Sequence, residues 1–208
     1  MKVLFREIRA GDVAAVTARL DKKPELLHAV ATAPPAKDDG QSTLQVAIKS
    51  GNFAIARLLL DRGADVHFID ASPINRWNTP VLHDAIRATV FSTRFGRNRA
   101  LPGEPPRIEV LSTLERFEDA LDLLQRVLDT GADPGVLDSA GNPALMRALL
   151  DARQVIDEPL QDLLDMDLRR VFAALLAAGA DPRWHDARFG TTLVDHFRGE
   201  VVGRYLAL

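Results

Sequence analysis

The chain has 208 residues, with 26 basic and 29 acidic side chains for a formal charge of −3, 47% hydrophobic residues and no cysteine. That composition excludes wholesale disorder, a disulfide framework, a thiolate nucleophile and a cysteine-ligated zinc site, and the near-neutral charge argues against a nucleic-acid coat or a basic membrane-surface protein. No apolar run approaches about 18 residues, so no membrane span is expected, and Met1-Lys2-Val3-Leu4-Phe5-Arg6-Glu7 turns to charge too early for a signal peptide.

In chain order, the first apolar stretch runs from Phe5 through Gly11 to Leu20. Gly40-Gln41-Ser42-Thr43-Leu44-Gln45-Val46-Ala47 then reads as a tight left-handed turn feeding a helix start. Phe53 to Leu60 has helical period and ends in Gly63-Ala64-Asp65. The turn that follows carries Val66-His67-Phe68-Ile69 and, after a small insertion, Asn75-Arg76-Trp77. A second helix-start word, Asn78-Thr79-Pro80-Val81-Leu82-His83-Asp84-Ala85, places asparagine in the left-handed role. Ser92 to Val110 reads as a long loop rich in Pro, in which Arg94, Arg97, Arg99 and Arg107 outnumber Glu104 and Glu109.

The second half repeats the plan. Ala120 to Leu128 is helical and ends in Gly131-Ala132-Asp133, with a turn at Val136-Leu137-Asp138-Ser139-Ala140. Gly141-Asn142-Pro143-Ala144-Leu145-Met146-Arg147-Ala148 restarts a helix. Asp151 to Leu168 is an insertion with Asp151, Asp157, Glu158, Asp162, Asp165 and Asp167 against Arg153 alone, and it reads as helical. Val171 to Leu176 leads into Gly179-Ala180-Asp181, then Arg183-Trp184-His185 and Arg188-Phe189. A degraded restart begins at Gly190-Thr191-Thr192, and Gly199 to Leu208 mirrors Gly51 to Leu60.

Gly-Ala-Asp therefore recurs three times, and each copy has the same apolar offsets. Four and three residues before the glycines stand Leu59-Leu60, Val127-Leu128 and Leu175-Leu176; eight before stand Ile55, Leu123 and Val171. Those offsets share one helical face, with glycine just past the helix end. A repeated unit of one turn and two helices follows.

On these words the chain resembles the ankyrin repeat family, whose units are about 33 residues long. The resemblance implies an all-α solenoid of stacked helix-turn-helix units with two inter-helix insertions, forming one domain over residues 1–208. Its units fall near 1–38, 39–76, 77–139, 140–188 and 189–208, the first and last incomplete. It also implies that His83 is a structural histidine tying one turn to its neighbour, and that the function is binding rather than catalysis.

Large side chains in the predicted turns give the partner-binding set Phe68, Arg76, Trp77, Leu137, Trp184 and Arg188, since aromatic residues and Arg contribute large contact areas with a polar handle. The expected partner is another protein, bound by a chain that is monomeric on its own. The alternative is an anion or nucleic acid held by Arg94, Arg97 and Arg99. A competing expectation for that loop is pairing with the acidic insertion of the adjoining unit. His185-Asp186 and Asp195-His196 are the clustered His/Asp set, but their spacing matches no metal or acid–base site, so no catalytic residue, metal or cofactor is assigned. Composition rich in Arg, Ala and Leu suggests a bacterial, cytoplasmic protein, with export as an effector left open.

Overall fold

Short polar side chains and glycines delimit the helices. In the computed structural model, which describes residues 1–74, 77–99, 107–156 and 161–207, α1 (Lys2–Ala10) and α2 (Val13–Lys22) form a first antiparallel pair. Asp12 caps α2 by accepting the Ala15 amide at 2.9 Å. The second pair is α3 (Thr43–Lys49) and α4 (Phe53–Asp61). Ser42 and Gln45 cap α3 reciprocally, each side chain accepting the other's backbone N–H. The third pair is α5 (Val81–Val90) and α6 (Leu114–Asp129), and the fourth is α7 (Ala144–Val155) and α8 (Asp162–Ala177). Gly63, Gly131 and Gly179 lie just beyond α4, α6 and α8 with φ of +86°, +98° and +93°, the left-handed exit that their spacing predicts.

The pairs pack side by side in two layers. Helices α1, α3, α5 and α7 touch in succession, as do α2, α4, α6 and α8. Between the layers lie the apolar residues picked out by the repeat: Ile55, Leu59, Leu123, Val127, Val171 and Leu175 are all buried. Burying each such side chain contributes about 1.5–3 kcal/mol, and no pair can cover that face without its neighbour. A short helix, α9 (Leu193–His196), and a 3-10 segment (Val201–Ala207) close the far end, with Tyr205 stacked on Phe172 at 5.0 Å. The protein is thus mostly helical, as the all-α expectation holds.

Two features differ from expectation. The segment after α5 is not simply a loop: β1 (Gly96–Arg99) pairs antiparallel with β2 (Arg107–Val110), Gly96 opposite Val110. A second, smaller ladder joins β3 (His185–Asp186) to β4 (Thr191–Thr192). Asn78 also does not adopt a left-handed conformation, since every positive φ belongs to glycine. The reason is loop length. Asp70 donates its amide to the Thr79 carbonyl and accepts the Thr79 amide on its carboxylate, so a nine-residue span is closed without a tight reversal.

Among the described residues, the expected pairing between the two insertions is seen at Arg94. Arg94 donates its backbone N–H, Nε and Nη2 to Asp167 on α8 at 2.8, 3.0 and 2.6 Å, and the carboxylate is fully buried. Two other described acids of that segment have other partners. Asp151 pairs with Arg87 and Arg147, and Asp165 accepts from Arg169 and Tyr205. Asp157 and Glu158 lie outside the described residues.

Gly40 combines a φ of +81° with a backbone neighbour: a Cβ there would clash with the Ala71 carbonyl oxygen, whereas one at Gly63 would meet open space. Gly63→Ala is expected to cost only the left-handed penalty, about 1–2 kcal/mol, and Gly40→Ala more than about 3 kcal/mol. Melting temperatures check this, at about 2–4 °C per kcal/mol for a chain of this size; equal losses would show that the Ala71 contact carries no weight.

Candidate functional site

The edge formed by the turns is built on aspartates. A turn leaves backbone N–H groups with no helical or sheet partner, and a short carboxylate accepts them at low entropic cost. Asp39 accepts the Ala33 amide at 2.8 Å; Asp138 accepts the Ala140 and Asn142 amides at 2.9 and 3.0 Å; Asp186 accepts the Arg188 amide at 2.9 Å. All three carboxylates, with Asp70, are buried. The Ser72 hydroxyl on Asp39 and the Arg188 guanidinium on Asp186 hold those two carboxyls below the usual carboxylate range, while burial pushes Asp70 up.

Each turn is then tied to the next. Ser72 donates to Asp39 at 2.6 Å, Asn78 and Ser139 exchange hydrogen bonds at 3.0 and 3.1 Å, and Arg188 donates to Asn142 at 2.9 Å and to the Ala140 carbonyl. A second line of ties runs just beneath. Gln45 reaches the Thr79 carbonyl at 2.8 Å, and His83, at the same position of the next pair, reaches the Val136 carbonyl at 3.2 Å. His83 is buried, its Nδ1 lacks a hydrogen-bond partner, and burial pushes its pKa down to about 4. The structural role expected of it is the one it plays.

The approach to each aspartate is extended, so side chains alternate between faces. Phe68, Val136 and Trp184 stand two residues before Asp70, Asp138 and Asp186; Phe68 and Trp184 pack against the core. Ile69, Leu137 and His185 stand one residue before and point outward. Of the set predicted from side-chain size, Trp77, Leu137 and Arg188 are exposed, while Phe68 and Trp184 are half-buried. Trp77 and Leu137 are 47% and 45% exposed, joined by Ile69, Ile74 and Phe189. Phe68 and Trp184 serve as inward wedges, and Arg188 is occupied as the brace between turns. Arg76 lies outside the described residues. Ile69 and its register mates were discoverable from a fixed distance of six residues past Gly63, Gly131 and Gly179, a signal that size alone conceals.

Along the α3–α5–α7 face, buried acids are bracketed by cations. Asp84 accepts from Gln45 at 3.0 Å and lies 3.6 Å from Lys49 Nζ, yet full burial pushes its pKa up to about 7. Asp151 is held at 2.6 Å by Arg87 and at 2.7 Å by Arg147. Of the alternative anion set, Arg94 is taken by Asp167, and the side chains of Arg97 and Arg99 lie outside the described residues. Among the described residues no group of three His, Asp or Glu is placed to hold a metal, and no helix is long and apolar enough to cross a membrane.

A buried histidine with a depressed pKa stays neutral in the fold while the unfolded chain takes up a proton, so its stabilising contribution is present above pH 6.5 and is lost as pH falls toward about 4. Asp84 acts in the opposite sense over much of that window, gaining a proton in the fold as pH falls below about 7. His83→Gln isolates the first effect, because Gln45 already makes the equivalent bond. Relative to the variant, the native protein is expected to lose on the order of 3 kcal/mol between pH 6.5 and 4, on the scale of 1.36 kcal/mol per pKa unit. Urea unfolding of both proteins at the two pH values measures it; parallel losses would refute it.

The family model of the ankyrin repeat matches residues 39–71, which span α3, α4 and the turn beyond them. No curated protein matches the chain. Ankyrin repeats are generally modules of protein–protein interaction. Residues 39–71, with their Gly-Ala-Asp exit and the ties from their turn to the next, thus form an ankyrin repeat within the chain.

Proposed function

We propose that the chain is a single ankyrin-repeat solenoid, with units near 1–38, 39–76, 77–139, 140–188 and 189–208, that binds another protein without catalysis. The observation that carries this reading is the braced turn edge: exposed Trp77, Leu137 and Ile69 stand on turns whose backbone is already pinned by aspartates and by the next turn. Large apolar anchors on a preorganised edge lower the ordering cost of association. Phe68 and Trp184 support that edge from beneath, and Arg188 fixes the spacing between its last two turns. Anion or nucleic-acid binding by the Arg-rich insertion loses its first donor to Asp167, which leaves the turn edge as the favoured surface.

Affinity purification with the native chain, followed by mass spectrometry, identifies the partner for biolayer interferometry. Trp77→Ala with Leu137→Ala is expected to weaken that partner by about 30-fold or more, the scale of a hot spot worth about 2 kcal/mol, with the melting temperature nearly unchanged. Phe68→Ala and Trp184→Ala are expected to lower the melting temperature instead. Undiminished binding by the Trp77/Leu137 variant would remove this surface from the reading.

A further inference from the structure

A cavity of about 370 Å³ opens where the end of α3, the C-terminal half of α5 and the start of α6 meet. Three cations from these three elements line it: Lys49, Arg87 and Arg116. Arg116 stands in the first turn of α6, where the helix dipole disfavours a positive charge, and among the described residues it makes no ion pair. Its guanidinium lies over the Phe53 ring at 5.8 Å, as that of Arg87 lies over Phe91 at 4.6 Å. A cation–π contact of this kind favours the guanidinium near the ring without using its N–H donors. Gly51 makes room for it: a Cβ there would come within 3.0 Å of Arg116 Nη2.

The acids nearby pair with Arg87 and Lys49 and leave Arg116 without an ion pair among the described residues. Asp84 forms part of the cavity wall, but burial holds it toward its neutral form, and it already accepts from Gln45. Asp151 takes the Nη1 of Arg87, leaving Nη2 with no hydrogen bond among the described residues. Lys49 stands 3.6 and 3.8 Å from Asp84 and Asp70, both raised by burial. The cavity thus presents the guanidiniums of Arg116 and Arg87 and the ammonium of Lys49 beside Phe53 and Phe91, and among the described residues Arg116 makes no ion pair. Carboxylates match guanidinium forks with paired hydrogen bonds.

We infer that this cavity seats a carboxylate side chain from an acidic segment of the bound protein, Arg116 and Arg87 gripping it from opposite walls. The inference rests on the partner-binding reading above and adds the partner's chemistry to it. Fluorescence anisotropy of a fluorescein-labelled hexaglutamate peptide, with a hexaserine peptide as control, tests it on the full chain. Hexaglutamate is expected to bind, hexaserine not, and added NaCl to weaken the complex. Arg116→Gln is expected to weaken hexaglutamate about fivefold or more, with Arg116→Lys intermediate because it keeps the charge and loses the fork. Amide resonances of Ser50, Gly51 and Ser92 in the unmodified protein are expected to shift on adding the peptide, a readout that needs no variant to fold. Absence of hexaglutamate binding, binding unaffected by Arg116→Gln, or resonances that stay still would overturn the inference, as would displacement of the peptide by equimolar inorganic phosphate. The Trp77/Leu137 variant is expected to keep its affinity for hexaglutamate, so loss of the partner there and loss of the peptide here report on separate surfaces.

Discussion

The buried carboxylates at the heads of the turns are what the rest of the molecule depends on. Helical pairs satisfy their own backbone groups, but the segments between pairs cannot, and unpaired buried amides cost about 1–3 kcal/mol each. Asp39, Asp70, Asp138 and Asp186 meet that demand with one side chain apiece. At Asp70, Asp138 and Asp186 the residue before the aspartate is exposed and the one before that is half-buried. Register of the helices, rigidity of the edge and identity of the exposed side chains all follow from the same group.

That constraint explains how variable turns coexist with a regular core. The span from Asp70 to Thr79 is longer than the reversal from Asp138 to Gly141, yet both end on backbone hydrogen bonds to the aspartate. Extra residues fall between the two closing partners, so the apolar stripe of α5 and α6 keeps its place against α3, α4, α7 and α8. The insertion after α5 is handled differently: β1 and β2 pair within it, and Arg94 ties it to a buried acid on the adjoining pair. An ion pair of this kind contributes position more than net stability, since desolvating Asp167 offsets much of its attraction to Arg94.

Electrostatics divides the molecule into two surfaces. On the turn edge, aspartates are spent on backbone closure and apolar Ile69, Trp77 and Leu137 stand exposed. On the α3–α5–α7 face, acids are buried and cations retain exposure, Lys49 at 38% and Arg87 at 50%. On that face the separation runs in depth, Asp84 and Asp151 inward and Lys49 and Arg87 outward. A protein partner that met both surfaces would offer apolar side chains to one and carboxylates to the other, consistent with the proposed reading.

The sequence alone determined the repeat, the helices and most of the core. Gly63, Gly131 and Gly179 with their offsets at Ile55, Leu123 and Val171 are local signals, carried by helical geometry and the left-handed exit that glycine permits. The role of His83 was legible in the same way, through a matching word. Three things needed the tertiary structure. Phe68 and Trp184 could not be told from Ile69 and Leu137 by size, because the closing aspartate decides which residue of an extended pair faces inward. Arg94 could not be told from an open anion site, because its partner Asp167 lies 73 residues away in sequence. Arg116 carried no sequence signal at all: only the packing of α6 beside the α3–α4 turn brings it to Lys49 and Arg87. Short-range geometry is written in neighbouring residues, whereas the pairing of charges and the direction of exposed side chains are settled when separate units come into contact.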